Sequence, residues 1–243
     1  MTTWSAVKAR TTCWTGAPGS TTSTVATGTT SARRARSSRT ASCCSSPDFS
    51  HRPVGADPVC PQGGFSLANP PNQGDDRADA GSGRNDVKLD AGDDVMIGGP
   101  GRDRLDGGSG NDAAWGLGDR DQLVGESGDD MLVGGPGNDK LASGGGKDSL
   151  YGEEGNDLFL AGKGDDLISG GDDSDRIRAG GGDDTVFGGE GSDLVQGTAG
   201  DDVIFGDGGD DVIDGGSDRD DVDGGEGKDV CPNAELVAGC EIE

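Results

Sequence analysis

Aspartate recurs every nine residues between Ala80 and Pro232. The frame Gly-Gly-x-Gly-x-Asp-x-U-x, with U apolar, repeats there seventeen times without insertion or deletion. Carboxylate and carbonyl oxygens form the ligand set that Ca²⁺ takes, and the turns lack the His and Cys that transition metals favour. The sixth-place side chains are therefore candidate calcium ligands. They are Asn85, Asp94, Asp103, Asp112, Asp121, Asp130, Asp139, Asp148, Asp157, Asp166, Asp175, Asp184, Asp193, Asp202, Asp211, Asp220 and Asp229.

The other places of the frame predict how these side chains are positioned. Glycine at the first, second and fourth places permits positive φ and brings carbonyl groups together in a six-residue turn. Asp119, Asp173 and Asp218 replace the fourth-place glycine, and we expect the turn to persist there with some strain because Asp tolerates this conformation. The eighth place is never charged, so x-U-x predicts a short strand in which one residue in nine points inward.

This repeated frame resembles the hemolysin-type calcium-binding repeats of RTX proteins. The resemblance covers 153 of 243 residues. It implies an all-β fold, a right-handed parallel β-roll (β-solenoid) in which two nonapeptides form one 18-residue coil. Calcium ions would lie in slots between successive turns. The odd copies, from Asn85 to Asp229, would form an odd turn column, and the even copies, from Asp94 to Asp220, an even turn column.

The two columns leave at most 15 inter-turn slots for Ca²⁺. We expect the slot between Asn85 and Asp103 to be weak because it lacks one charge. Slots that touch Asp119, Asp173 or Asp218 are also expected to be weak or distorted.

The charge distribution agrees with a cation as the partner. The net charge is −26, and residues 81–243 combine 12 Lys and Arg with 41 Asp and Glu. Nucleic acid is an improbable partner, since it is bound by basic residues, and no apolar stretch is long enough to span a membrane. Fifteen divalent ions would nearly cancel the charge of the repeats, which predicts that folding is coupled to calcium binding.

Three regions are predicted. Residues 1–79 are rich in Thr, Ser, Ala and Arg and lack apolar periodicity, which indicates a disordered or unrelated segment. A flexible leader and a start codon assigned too early both explain it, and it contains the only histidine, His51, interpreted as a solvated loop residue. Residues 80–232 form the roll, and residues 233–243 form a C-terminal cap.

Cys231 and Cys240 are a candidate disulfide at the end of the roll. Cys231 occupies the eighth place of the last copy and Cys240 lies one period later, so both are expected to face the terminal coil. A disulfide would close the core and suit an extracellular setting. Two buried thiols are the alternative.

Aromatic residues are concentrated at the ninth place of the even copies. A column at about 4.8 Å per coil is predicted there, and such a face would dock another domain, a partner or a second copy. The alternative is the general suitability of aromatic and β-branched residues for strands. The residues of this aromatic column are Trp115, Tyr151, Phe187 and Phe205.

No catalytic arrangement is visible in the sequence. It contains no His-Glu-x-x-His and no Gly-x-Ser-x-Gly before an apolar strand-helix unit. We therefore interpret the chain as a calcium-binding module and not as an enzyme. The resemblance implies a secreted bacterial protein. A structural adhesin or surface-layer spacer, and the C-terminal fragment of a larger secreted toxin or hydrolase, remain alternatives.

Overall fold

The computed structural model describes residues 41–42, 58–59, 66–68, 74–234 and 236–241. This part of the chain is all-β and contains no helix. The predicted disorder of residues 1–79 and the interpretation of His51 fall largely or wholly outside the described residues.

The strands form two sheets. The even sheet consists, in spatial order, of β1 (Ala41–Ser42), β2 (Pro58–Val59), β4 (Arg77–Asp79), β6 (Val95–Pro100), β8 (Ala113–Gly118), β10 (Met131–Val133), β12 (Ser149–Glu154), β14 (Leu167–Asp172), β16 (Thr185–Glu190), β18 (Val203–Gly208), β20 (Asp221–Asp223) and β22 (Leu236–Ala238). The odd sheet consists of β3 (Ser66–Ala68), β5 (Asp86–Lys88), β7 (Arg104–Ser109), β9 (Gln122–Ser127), β11 (Lys140–Gly145), β13 (Leu158–Lys163), β15 (Arg176–Gly181), β17 (Leu194–Ala199), β19 (Val212–Ser217), β21 (Asp229–Val230) and β23 (Cys240–Glu241).

Neighbouring strands in each sheet are parallel and belong to successive coils. Leu105 pairs with Leu123 in the odd sheet, and Met96 pairs with Ala114 in the even sheet, so the coil repeat is 18 residues. Consecutive copies therefore alternate between the two sheets. The prediction of an all-β parallel β-roll with 18-residue coils is confirmed.

The core lies between the sheets and is deeper than the sequence indicated. Eighth-place side chains from Val87 to Val222 are almost completely buried, with Phe159 the largest. The first place is also buried in all seventeen copies, and it carries a side chain at Ala80, Leu89, Ser143, Ala161 and Ala179. The expectation that one residue in nine points inward was wrong, because the strands extend past x-U-x into the next copy and turn its first residue inward as well.

The glycines of the turn have two different roles. The second and fourth places adopt positive φ in every copy except at Asp90 and Gly137, with Gly99 (112°) and Gly101 (127°) as examples. Asp119, Asp173 and Asp218 also have positive φ, of 67°, 74° and 81°, in the left-handed region that Asp tolerates. The turn therefore persists at these substitutions.

The first-place glycines provide space instead of positive φ. A Cβ at Gly98 would lie 2.7 Å from Oδ2 of Asp103 and 2.8 Å from the carbonyl oxygen of Gly116. The prediction that first-place glycine supplies positive φ was wrong. It lies in an ordinary strand conformation and is small because an aspartate oxygen packs against its Cα.

The strand ladder begins before the predicted boundary at Ala80. In residues 71–79 the frame has Gly74 at the fourth place, Asp76 at the sixth and Ala78 at the eighth, and Ala78 is buried. Strand β4 pairs with β6 at the 18-residue repeat. The ladder of the described residues thus includes a copy before Ala80 that lacks the leading glycine pair of the others.

The C-terminal cap shortens the last coils. Asp229 pairs with Cys240, so β21 and β23 are neighbours separated by 11 residues in sequence. A disulfide joins Cys231 to Cys240, with their Cα atoms 5.9 Å apart. Both cysteines were expected to face the terminal coil, and both pack against the end of the core. The shortened coil brings them together because it places β21 and β23 next to each other.

Candidate metal centre

One oxygen of each sixth-place carboxylate holds the turn before it. The backbone N–H of Asp103 donates to Oδ1 of Asp121 at 2.7 Å, and the same contact repeats at 2.6 to 3.1 Å along both turn columns. Oδ1 therefore has a structural role that does not require an ion.

The second oxygen, Oδ2, is buried and lacks a hydrogen-bond donor within the described part of the chain. This holds for Asp103, Asp112, Asp121, Asp130, Asp139, Asp148, Asp157, Asp166, Asp175, Asp184, Asp193, Asp202, Asp211 and Asp229. The residues themselves are at most 3% exposed. Burying a charged oxygen without a partner is costly, whereas a cation offsets that cost. The pattern fits a metal-binding role for Oδ2.

Backbone carbonyls of the turns point toward the next coil. A Cβ at Gly101 would lie 2.5 Å from the carbonyl oxygen of Gly83, and a Cβ at Gly99 would collide with the carbonyl oxygen of Gly81. The second- and fourth-place carbonyls therefore face the space between successive turns. Glycine in the following coil keeps that space free of side chains.

The Asn85 side chain marks where these oxygens converge. Its Nδ2 donates to the carbonyl oxygen of Gly83 at 2.9 Å, to Oδ1 of Asp103 at 2.9 Å, and to the carbonyl oxygen of Gly81 at 3.4 Å. One electropositive group thus reaches the second- and fourth-place carbonyls of its own turn and the carboxylate of the next coil. A Ca²⁺ ion would take the same set of oxygens.

Comparison with known families agrees with this geometry. The family model described as RTX calcium-binding nonapeptide repeat (4 copies) matches residues 72–105, 90–123, 97–132, 124–159, 133–168, 160–195 and 196–231. The chain belongs to the RTX calcium-binding repeat family. RTX repeats bind calcium in general, and the matched region spans both turn columns. No curated protein matches the chain.

Burial changes the acidity of the RTX aspartates. It raises the pKa of Asp175 to about 8, and the carboxylates of Asp157, Asp193 and Asp173 add to the rise, while the N–H of Asp157 opposes it. Burial likewise raises the pKa of Asp121 to about 7, again opposed by a backbone N–H. Without a cation, these groups therefore hold protons at a pH where a solvated aspartate is ionised.

Each RTX slot is bordered by at most two sixth-place carboxylates. Within the described residues, no group of three or more His, Cys, Asp or Glu side chains is placed to hold a metal ion. The carbonyls of the turn must supply the remaining ligands, which is usual for Ca²⁺. The same region contains no helix long and apolar enough to cross a membrane.

The structure places every predicted sixth-place residue in one of the two RTX turn columns. It also adds Asp76, whose N–H donates to Oδ1 of Asp94 at 2.7 Å.

An outer ladder of hydrogen bonds at the fifth place of the even copies was not predicted. In it the N–H of Asn111 donates to Asp93 at 2.8 Å, and the N–H of Asp129 to Asn111 at 2.8 Å. The sequence signal that could have indicated this ladder is the Asp-Asp pair at the fifth and sixth places of several even copies.

The aromatic column lies along the outer face of the even sheet. Trp115 and Tyr151 both pair with Val133 in parallel register, and Phe187 pairs with Phe205. The rings of Phe187 and Phe205 are stacked, with centroids 5.2 Å apart and an interplanar angle of 11°. All four side chains are half-buried.

Proposed function

We propose that this chain is a secreted, non-enzymatic calcium-binding module whose roll folds as Ca²⁺ enters the inter-turn slots. The observation that carries the proposal is the buried Oδ2 oxygen, which recurs without a donor beside carbonyls of the turn. Each ion would be held by second- and fourth-place carbonyls and by the sixth-place carboxylates that border the slot. Calcium would supply the positive charge that the buried aspartates lack.

Coupling of folding to calcium is supported by charge and burial. The repeats carry far more acidic than basic residues, and every sixth-place aspartate is buried at one of the two turn columns. A compact roll without cations must hold these carboxylates close together, either charged and repelling one another or protonated. Since calcium neutralises them only in the folded arrangement, its binding free energy becomes folding free energy.

The slots are proposed to differ in occupancy. Up to 15 were predicted, and the ladder from Asp76 to Asp94 adds one more at the N-terminal end. The slot between Asn85 and Asp103 already receives the amide of Asn85, so we expect it to hold no ion. Slots beside Asp119, Asp173 and Asp218 keep the turn conformation, so we now expect them to be filled.

Calcium titration followed by circular dichroism and native mass spectrometry tests the proposal. Without calcium we expect little strand signal at neutral pH, and millimolar Ca²⁺ should produce it while many ions bind. Magnesium is the control, because it requires a smaller octahedral site and should not induce the fold. Full strand content in the presence of a chelator would contradict the coupling. Absence of bound calcium would contradict the function itself.

A spacer role is a second candidate. Stacked coils at strand spacing give a rod of about 40 Å, and the Cys231–Cys240 disulfide fits an extracellular location. For the calcium-loaded roll, small-angle scattering should then give a rod whose length changes neither in high salt nor on dilution.

A third candidate function is a part of a larger secreted toxin or hydrolase that contains this module. Intact mass measurement of the native product would separate these two.

We also propose that the aromatic column docks a partner protein. The stacked Phe187 and Phe205 rings lie at the outer surface of the even sheet, beside a continuous ladder of Trp115, Val133 and Tyr151. Replacing Trp115, Tyr151 and Phe187 by Ser should leave calcium stoichiometry unchanged and abolish binding of an environment-sensitive apolar dye to the calcium-loaded roll. An unmodified roll that fails to bind the dye would argue against an accessible docking face.

A further inference from the structure

The outer surface of the odd turn column is basic near its N-terminal end. Arg84, Arg102 and Arg120 occupy the fifth place of three consecutive odd copies, and with Lys140 they border a depression of about 420 Å³. The three arginines are exposed and form no ion pair within the described part of the chain. The nearby Arg104 differs, because it binds the buried Asp106 at 2.9 Å. We call Arg84, Arg102, Arg120 and Lys140 the basic end.

The same column is acidic near its C-terminal end. Asp173, Glu190, Asp207 and Glu226 border a second depression of about 750 Å³, and all four are exposed. We call these residues the acidic end. Half of the 12 basic residues in the strongly acidic region 81–243 lie between Arg84 and Lys140, all of them in odd copies. The separation of charge along one column is therefore pronounced.

The two ends are arranged symmetrically about the ninth copy, residues 152–160. The basic end belongs to the first, third, fifth and seventh copies, and the acidic end to the eleventh, thirteenth, fifteenth and seventeenth. Both belong to turns of odd copies, one residue per 18-residue coil: the arginines occupy the fifth place, Lys140 begins β11, and the acidic residues occupy the second to fourth places. A two-fold axis beside the ninth copy, perpendicular to the column, would place each basic coil of one molecule opposite an acidic coil of the other.

We propose that two calcium-loaded copies of this chain associate through their odd turn columns as an antiparallel, isologous dimer. Arg102 faces Asp207 of the second copy, Arg120 faces Glu190, and Lys140 faces Asp173. Each contact occurs twice, because the same patch is used on both molecules. The dimer is sensitive to ionic strength, since exposed charges hold it together.

A second copy fits the basic end because this chain itself carries the complementary charges, in reversed order and one in each successive odd copy. Calcium loading is required, because two molecules of net charge −26 repel each other. The inference rests on the proposed function in this one respect. Calcium stoichiometry is therefore measured on every sample, so that failure to load can be distinguished from failure to associate.

The test is sedimentation velocity of the full chain at saturating calcium and low salt. The unmodified protein should sediment as a dimer that dissociates at about 0.5 M salt. Arg120→Glu and Glu190→Arg should each weaken the dimer about tenfold or more, since each introduces two like-charge contacts. The double variant should restore it, because every contact again joins opposite charges. Lys147→Glu, at the fifth place of the even turn column, is the matched control and should leave the dimer unchanged.

A roll that is fully loaded with calcium and remains monomeric would overturn the dimer and leave calcium binding intact. Loss of dimer in both single variants without recovery in the double variant would also overturn the proposed pairing. A chain that fails to load calcium would overturn the proposed function, and the dimer with it. Circular dichroism of each variant in calcium establishes that the variants are folded.

Discussion

The first slot of the odd turn column differs from the slots that follow it. Its lower boundary is Asn85, whose amide donates to two carbonyls and to Asp103. In the next slot, Asp103 takes the equivalent position and presents an oxygen without a donor. In the first slot, the Asn85 amide donates hydrogen bonds to the oxygens that border the slot. In the next slot, the corresponding oxygens require a cation from outside the chain. The first slot and the next slot therefore differ by one side-chain atom, the amide nitrogen of Asn85 in place of Oδ2 of Asp103.

The first place of the turn follows the same division within the odd turn column. Ala80 precedes Asn85, whereas all later odd copies have glycine there. A Cβ at Gly188 would lie 2.7 Å from Oδ2 of Asp193 and 2.7 Å from the carbonyl oxygen of Gly206. The odd copies with a carboxylate therefore have no Cβ beside Oδ2, whereas the copy with the amide has an alanine at the corresponding place.

Acid should make the aspartate slots resemble the first one, and this is the largest effect that we predict. A protonated carboxyl is neutral and donates a hydrogen bond, as the Asn85 amide does. Burial raises the pKa of Asp175 to about 8 and that of Asp157 to about 7, above the unfolded value of about 3.9. The calcium-free roll therefore binds more protons folded than unfolded between about pH 4 and pH 8, so its stability increases as pH falls through that window.

Two measurements test the effect of acid. Circular dichroism of the chelated protein should show more strand at pH 5 than at pH 8, and calcium affinity should fall over the same range because protons compete for Oδ2. A chelated protein with equal strand content at both pH values would contradict the assignment of Oδ2 as the group that requires a counter-charge.

Gly188→Ala should produce the next largest effect, confined to one turn. The added methyl group would push against Oδ2 of Asp193 and a carbonyl of the following coil. We expect a loss of about 1 to 3 kcal/mol in the free energy of unfolding in calcium, as for other overpacked sites, with weaker binding of one ion. Chemical denaturation measures the first effect and native mass spectrometry the second.

Ala179→Gly is the matched control, because the first place of that even copy already accommodates a methyl group. This variant should leave the calcium stoichiometry unchanged. If Gly188→Ala is equally silent, the first-place glycines are not there to leave space around Oδ2.

The resemblance to RTX repeats implied the two turn columns. The frame predicted the buried eighth place, because a one-residue slip would exchange buried and exposed side chains along every strand. It could not predict the different roles of Oδ1 and Oδ2, because both oxygens belong to the same side chain. The copy containing Asp76 was missed because its glycine pair is replaced. The frame also gives no sign that Asp106, at the ninth place of an odd copy, is buried. Its burial depends on contacts with Lys88 of the preceding coil and with Arg104.

Asp157→Asn should convert an interior slot into a copy of the first one. The new amide would donate to the carbonyls of its own turn and to Asp175, as Asn85 donates toward Asp103. We expect native mass spectrometry to find about one ion fewer, with a modest fall in the melting temperature. Asp183→Asn, at the exposed fifth place of the even turn column, is the control and should leave the count unchanged. An unchanged count for Asp157→Asn would show that an amide does not exclude the ion.

Asn85→Asp is the reciprocal change and should have the smallest effect. It replaces a donor by a carboxylate oxygen opposite Asp103, beside carbonyls that already converge on this position. Without calcium the new charge should destabilise the first coil, because two buried carboxylates would face each other across the slot. With calcium the slot should bind one additional ion, and the loss should be recovered. If the count instead stays the same, Ala80 or the altered coil before it prevents binding, and the difference between the two slots does not reside in the amide alone.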